Sequence, residues 1–218
     1  MKEYPKIQTV YKRSPETNFK TLMEGDFSLP EFDYLQNNTW VFTEKVNGTN
    51  IRVMFEKGNI IFGGKTDRTQ IPSFLVTVLN NLFMPIEKRK KMEEKFPDGV
   101  CLYGEGYGAK IQKDGGNYRQ DQSFVLFDVK IGDFWLQRTD IEDVANFLGL
   151  DIVPIIGEGS LSDMVKKTQE GFKSIWGDFQ AEGIVARPKI ELRTRNGERI
   201  ITKIKHKDFV KLAFKEVA

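Results

Sequence analysis

The chain has 218 residues, with 33 Lys and Arg against 31 Asp and Glu and a formal net charge of +2, so its total charge does not mark it as a nucleic-acid binder. One cysteine, Cys101, excludes a disulfide framework and a cysteine zinc cluster, and the single histidine, His206, excludes sites built on several histidines. No apolar run approaches the roughly 20 residues of a membrane span, the N-terminal MKEYPKIQTVYKR lacks the apolar stretch of a signal peptide, and cysteine usage fits a reducing setting, so a soluble cytoplasmic protein of one domain is expected.

Residues 40–45 (WVFTEK) and 51–56 (IRVMFE) read as strands. In the second, Ile51, Val53 and Phe55 fall on one face and Arg52, Met54 and Glu56 on the other. Asn47-Gly48 between them has the chemistry of a hairpin turn. Residues 59–62 read as a third strand, closed by Gly63-Gly64. Phe74, Leu75, Val78, Leu79, Leu82 and Phe83 have helical spacing and predict a helix over 73–83. The charged run 87–95, after Pro85, predicts a second, solvated helix. Residues 100–103 and 124–129 are short apolar runs of strand type. Thr139-Asp140-Ile141-Glu142 has the pattern of a capping box before Val144, Phe147 and Leu148, and Gly149 ends that helix. Residues 162–172 form a weaker helical pattern, and 183–186 and 199–204 read as strands. There is no internal repeat. Strands and helices do not alternate regularly, which argues against a doubly wound sheet and for an α+β fold with antiparallel sheets.

Four polar features stand inside or beside these apolar strands. Lys45 enters the Asn47-Gly48 turn, and Glu105 sits between Gly104 and Gly106. Glu182-Gly183 opens the strand Ile184-Val185-Ala186, and Lys203 and Lys205 flank Ile204. By strand alternation Ile201, Lys203 and Lys205 share one face, and Thr202 and Ile204 the other. Two lysines on one face repel each other unless something anionic lies near, either a nucleotide phosphate or a carboxylate such as Glu105 or Glu182. Lysines, carboxylates and phosphate together describe metal-assisted nucleotidyl transfer, in which a lysine amine attacks the α-phosphorus of a nucleotide. Singly, each feature has an ordinary reading: a solvated lysine, a turn, a strand start, an edge strand carrying protective charge. Their order and their place on strand ends carry the inference.

In that order the motifs resemble those of the covalent nucleotidyltransferases: DNA ligases, RNA ligases and mRNA capping enzymes. Lys45-Val46-Asn47-Gly48 resembles motif I, KxxG, and residues 44–50, EKVNGTN, are similar to phage-type RNA ligases that seal nicks and to trypanosome RNA-editing ligases. Residues 62–68 (FGGKTDR) resemble motif Ia, 102–106 (LYGEG) motif III, 124–129 (FVLFDV) motif IIIa, 182–185 (EGIV) motif IV and 203–205 (KIK) motif V.

The resemblance implies an ATP-grasp-like ligase adenylation fold with antiparallel sheets framing an ATP cleft. It implies an ATP-dependent RNA ligase that joins 5′-phosphate and 3′-hydroxyl ends, using ATP and Mg2+ or Mn2+. In it Lys45 forms lysyl-AMP, Glu44 lies against the adenine edge and Glu105 binds the ribose. Phe127 stacks on adenine, with Phe124 in its place if the motif is aligned differently. Glu182 holds the metal, and Lys203 and Lys205 contact the α-phosphate. Asn50 and Arg187 lie near the nucleotide, and either Lys65 or Arg68 serves motif Ia. Asn47, where DNA ligases and capping enzymes have Asp, leans to the RNA branch. Thirteen residues follow Lys205, so residues 1–218 are expected to form one adenylyltransferase domain without a C-terminal OB-fold domain. RNA, as nicked duplex or ends, is the expected partner, and a protein partner could supply substrate binding. Rival readings are a minimal DNA ligase, a GTP-using capping-type transferase, and a non-catalytic RNA-binding module. The segment 110–119 reads equally as a mobile loop or as an RNA contact. The basic residues Lys189, Arg193, Arg195 and Arg199 read first as a solvated hairpin and otherwise as a second basic patch.

Overall fold

In the computed structural model, which describes residues 3–209, the apolar residues segregate into two cores, each with its own sheet. One unit comprises residues 3–5 and 47–153, the other residues 6–46 and 154–209. In chain order the strands are β1 (Gln8–Thr9), β2 (Tyr11–Arg13), β3 (Leu22–Phe27), β4 (Trp40–Glu44), β5 (Thr49–Glu56), β6 (Asn59–Gly63), β7 (Val100–Gly108), β8 (Gln122–Ile131), β9 (Phe134–Trp135), β10 (Asp151–Ile152), β11 (Ile155–Gly159), β12 (Gly183–Pro188) and β13 (Thr202–Lys205). The helices are α1 (Pro30–Tyr34), α2 (Ser73–Phe83), α3 (Ile86–Lys95), α4 (Arg138–Leu148) and α5 (Leu161–Glu170).

In the unit built on residues 47–153 the strand order is β10-β8-β7-β5-β6, with β9 on β8. Pairing is antiparallel except for β10 on β8. The alternation read in β5 is realised: Ile51, Val53 and Phe55 are buried with Leu102, Phe124 and Leu126 against Leu75, Leu79 and Phe83 of α2 and Ile141, Val144 and Leu148 of α4. The opposite face of β5 is not simply solvated, because Arg52 is fully buried. Its Nε donates to the Gly64 carbonyl at 2.6 Å and its Nη2 pairs with Asp67 at 2.8 Å, so a burial cost is offset by good partners. Helix α3 is solvated apart from Met92. Lys88 and Lys91 donate to the carbonyls of Leu148 and Phe147 at the end of α4, where cations complement the helix dipole.

The capping box read at Thr139 does not form. Helix α4 starts at Arg138 with Gln137 before it and no side-chain cap, so Thr139 lies inside the first turn. Glu142 is drawn instead to Arg138, at 2.6 Å one turn away. Gly149 ends the helix in the left-handed conformation at φ 58°, as expected. The capping box of this chain stands on α5, where Ser160 and Asp163 satisfy each other's backbone amides.

The unit containing residues 6–46 and 154–209 holds a sheet of order β1-β13-β12-β4-β11, antiparallel but for β1 on β13, and a β2–β3 ribbon. Trp40 and Phe42 of β4, Ile184 and Ala186 of β12 and Ile204 of β13 pack with Leu161 and Met164 of α5 and with Phe32 of α1. Glu44 continues the inward row of Trp40 and Phe42, and it is the one charged side chain of that row.

The Asn47-Gly48 hairpin is not formed. Strand β4 lies in the five-stranded sheet and β5 in the six-stranded one, and Gly48 does not have a positive φ. The glycine is required by close approach instead: a Cβ there would stand 2.3 Å from the Gly106 carbonyl oxygen and 2.7 Å from Cγ of Glu105 on β7. Replacing Gly48 by Ala must push β7 away or bend the Thr49–Glu56 strand, a cost of about 1–3 kcal/mol by analogy with overpacked sites. Urea unfolding of Gly48→Ala should show a lower midpoint with an unchanged slope. An unchanged midpoint would show that the approach is loose.

Candidate active site

Register on the five-stranded sheet brings the predicted lysines together. Gly183 of β12 is opposite Lys205 of β13. On its other side, the Lys45 backbone N–H donates to the Gly183 carbonyl at 2.9 Å. Lys45 and Lys205 therefore flank the position that Glu182 precedes, and both ammonium groups reach its carboxylate. Lys45 Nζ stands 2.7 Å from Oε2 and Lys205 Nζ 2.7 Å from Oε1. Side-chain exposures of 20% and 25% for the lysines and 12% for Glu182 leave all three reachable by a ligand. Gly183 permits the approach of β13, since a Cβ there would lie 2.1 Å from the Ile204 carbonyl oxygen. Lys203 shares the face of Lys205 and pairs with Val185. Arg187 lies on β12 opposite Val41, half-buried.

Glu44 precedes Lys45 and is 1% exposed. Its Oε1 accepts from the Ser174 hydroxyl at 2.6 Å and its Oε2 from the Ile175 backbone N–H at 2.9 Å. Burial pushes this carboxyl above its ordinary value, and the two hydrogen bonds oppose the shift. The sequence reading missed Ser174, because a serine outside any periodic run carries no signal of its own. The signal available was the charge at the inward Glu44 position, which demands donors from somewhere.

In the other unit, Asn50 of β5 and Glu105 of β7 are register partners. The Oδ1 of Asn50 is buried with no hydrogen-bond partner among the described residues. Such an orphan acceptor costs stability unless a ligand supplies the donor. Lys65 and Arg68 are exposed on the loop after β6, which Arg52 braces through Gly64 and Asp67. Phe127 falls at a bulge between the Tyr103–Asp128 and Gly104–Leu126 pairs, and its ring meets Tyr4 edge-on at 5.1 Å. Phe124 faces the opposite way, into the core against Phe83 at 5.5 Å.

The segment after β7 is tied down. The Asn47 N–H donates to the Tyr118 hydroxyl at 3.2 Å, Asn47 Nδ2 to the Lys113 carbonyl at 3.3 Å, and Gln112 to the Gly48 carbonyl at 3.1 Å. His206 is structural: Nδ1 bonds the Thr168 carbonyl at 2.9 Å, and its backbone N–H donates to the Glu182 carbonyl at 3.0 Å. Among the described residues no three His, Cys, Asp or Glu converge as a metal site, and no helix is long and apolar enough to cross a membrane.

Residues 38–205 match the RNA ligase family. The chain belongs to that family. Among solved structures it is similar to a Naegleria gruberi RNA ligase with PPi, at 16% identity and TM-score 0.64 over 98% of this chain and 60% of that one. It is likewise similar to variants of that ligase with ATP and Mn (15%, TM-score 0.63, 94% of this chain and 59% of that one) and with AMP and Mn (15%, TM-score 0.63, 96% and 59%). This RNA ligase family member thus shares their α+β fold with antiparallel sheets and spans about 60% of the length of the first of these chains.

The raised carboxyl of Glu44 predicts a pH dependence. An acid with a raised folded pKa holds more protons folded than unfolded across the interval between the two values, so rising pH through that interval costs stability. Relative to Glu44→Gln, the parent should lose unfolding free energy as pH rises through and above 4.5, then level off. Paired urea titrations from acid to neutral pH check this, and a difference that stays flat would contradict it.

Proposed function

We propose that this chain is an ATP-dependent RNA ligase working through Lys45. The observation that carries the reading is the Glu182 carboxylate, held at 2.7 Å by both Lys45 and Lys205. That arrangement places the nucleophilic amine beside a second cation and a carboxylate. Two cations so close favour an anionic group between them, as a nucleotide phosphate would be.

In the proposed reaction the Lys45 amine attacks the α-phosphorus of ATP. An N–P bond forms, the bond to pyrophosphate breaks, and Lys45 carries AMP. The 5′-phosphate of RNA then takes the AMP, and a 3′-hydroxyl displaces it as the strand is sealed. Lys205 and Lys203, on one face of β13, stabilise charge on the α-phosphate. Glu105 binds the ribose. Asn50, whose buried Oδ1 lacks a donor, fits a nucleotide hydroxyl or amine. Phe127 supplies the stacking ring, Arg187 lies near the nucleotide, and Lys65 or Arg68 contacts phosphate from an exposed loop.

A divalent ion fits this donor set only in the manner of magnesium in phosphoryl-transfer sites, through one carboxylate with phosphate oxygens and water. Glu182 is that carboxylate, and the ion would supply charge neutralisation. The Naegleria variants solved with ATP and Mn, and with AMP and Mn, support these ligand classes. Residues 1–218 act as one adenylyltransferase domain, with nicked duplex RNA or RNA ends as substrate.

Incubation with α-labelled ATP and magnesium, followed by a denaturing gel, tests the reading. The parent should carry label that Lys45→Ala abolishes and that Glu182→Gln reduces at least about tenfold. Nicked RNA and nicked DNA duplexes then choose the polynucleotide. No label with ATP, GTP or NAD, under magnesium or manganese, would sink the enzyme and leave a binding module.

A further inference from the structure

Glu44 is a costly residue for its position. It lies inward on β4 behind Trp40 and Phe42, where an apolar side chain would pack without a charge to satisfy. Its carboxylate is nonetheless engaged on both oxygens, by the Ser174 hydroxyl at 2.6 Å and the Ile175 amide at 2.9 Å. The Ser174 oxygen in turn accepts from the Trp176 N–H at 3.1 Å. Ser174 is itself buried. With 1% of Glu44 exposed, almost no surface is left for a base.

The donors come from one closed segment. The Ser174 N–H donates to the Phe179 carbonyl at 2.8 Å and the Ala181 N–H to the Phe172 carbonyl at 3.0 Å, and Lys173 bridges Gln180. The next residue along the chain is Glu182. The same short segment therefore grips the residue before Lys45 and delivers the carboxylate that Lys45 contacts. Backbone pairing of Ile184 with Glu44 and the bond from the Lys45 amide to Gly183 join the same two stretches.

We propose that Glu44 and Ser174 form a latch that positions Lys45 against Glu182, and that Glu44 is a positioning residue and not a contact to the nucleotide base. The latch fixes the end of β4 from the side-chain direction, beside the backbone bond from Lys45 to Gly183. The inference rests on Lys45 being the nucleophile. Misplacement of a reacting group by about 1 Å is enough to slow a reaction by orders of magnitude, so a loosened latch acts on the chemical step.

The test measures lysyl-AMP formation over a range of ATP concentrations in the parent, Ser174→Ala and Ser174→Thr. Ser174→Ala should lower the rate at saturating ATP about tenfold or more. It should leave KM for ATP and the preference for ATP over GTP within about twofold, and Ser174→Thr should restore the rate, because the threonine hydroxyl replaces the lost donor. Glu44→Ala, which removes the acceptor for both donors, should behave as Ser174→Ala.

A raised KM or a weakened preference for ATP, with the saturated rate kept, would overturn the proposal and return Glu44 to the base. Hydrogen exchange without nucleotide supplies a readout independent of catalysis. The Lys45 amide should exchange faster in Ser174→Ala than in the parent. Unchanged exchange overturns the latch even if the parent forms no adduct. A parent that forms none while exchange still responds would overturn the ligase reading alone.

Discussion

Two ammonium groups share one carboxylate at the end of β12, and the local architecture of that unit is arranged around the sharing. Each lysine alone beside Glu182 would be an ordinary half-exposed ion pair worth little to stability. Together they leave one net positive charge next to a carboxylate, on a sheet face whose other side is the apolar core of Ile184, Ala186 and Ile204. The register makes this possible. Lys205 and Lys45 flank Gly183 from its two neighbouring stretches, and only a glycine there lets the Ile204 carbonyl come so near. Both Gly48 and Gly183 thus serve close backbone approach.

From that constraint the roles of neighbouring polar residues follow. His206 holds the Glu182 carbonyl and the end of α5, which fixes the backbone on which both Lys205 and Glu182 stand. Ser174 and Ile175 satisfy Glu44, so the residue before Lys45 is tied as firmly as the residue it pairs with. In the other unit Arg52 does comparable work for the exposed loop bearing Lys65 and Arg68, through Gly64 and Asp67. In each of these cases a buried or half-buried polar side chain has its partners, whereas Asn50 Oδ1 and Glu191 Oε1 are buried without a hydrogen-bond partner among the described residues.

Much of this was legible in the sequence because it is local. Alternation in residues 51–56 and helical spacing in 73–83 identify elements whose pattern lies within a few residues, and they appear in the structure with small shifts at their ends. The polar intrusions at Lys45, Glu105, Glu182, Lys203 and Lys205 stood out against apolar strands. What sequence did not disclose is non-local. Two strands separated by Asn47-Gly48 look like a hairpin until their partners are known, and β4 finds β12 and β11 while β5 finds β7 and β6. Strands as short as β1, β9 and β10 have no periodicity to read; β9 and β10 form on the long strand β8 and β1 on the edge of β13. Thr139 looked like a cap because its pattern is right, yet the first turn starts before it. Ser174 had no pattern at all.

In the proposed reaction the Lys45 amine, held by Glu182, takes the adenylyl moiety. Peptide mapping by mass spectrometry, after incubation of the parent with ATP and a divalent ion, locates that group directly. An acid-labile phosphoramidate is expected on the peptide containing Lys45 and on no other. An adenylyl group on Lys203, Lys205 or another residue, with the Lys45 peptide unmodified, would contradict it.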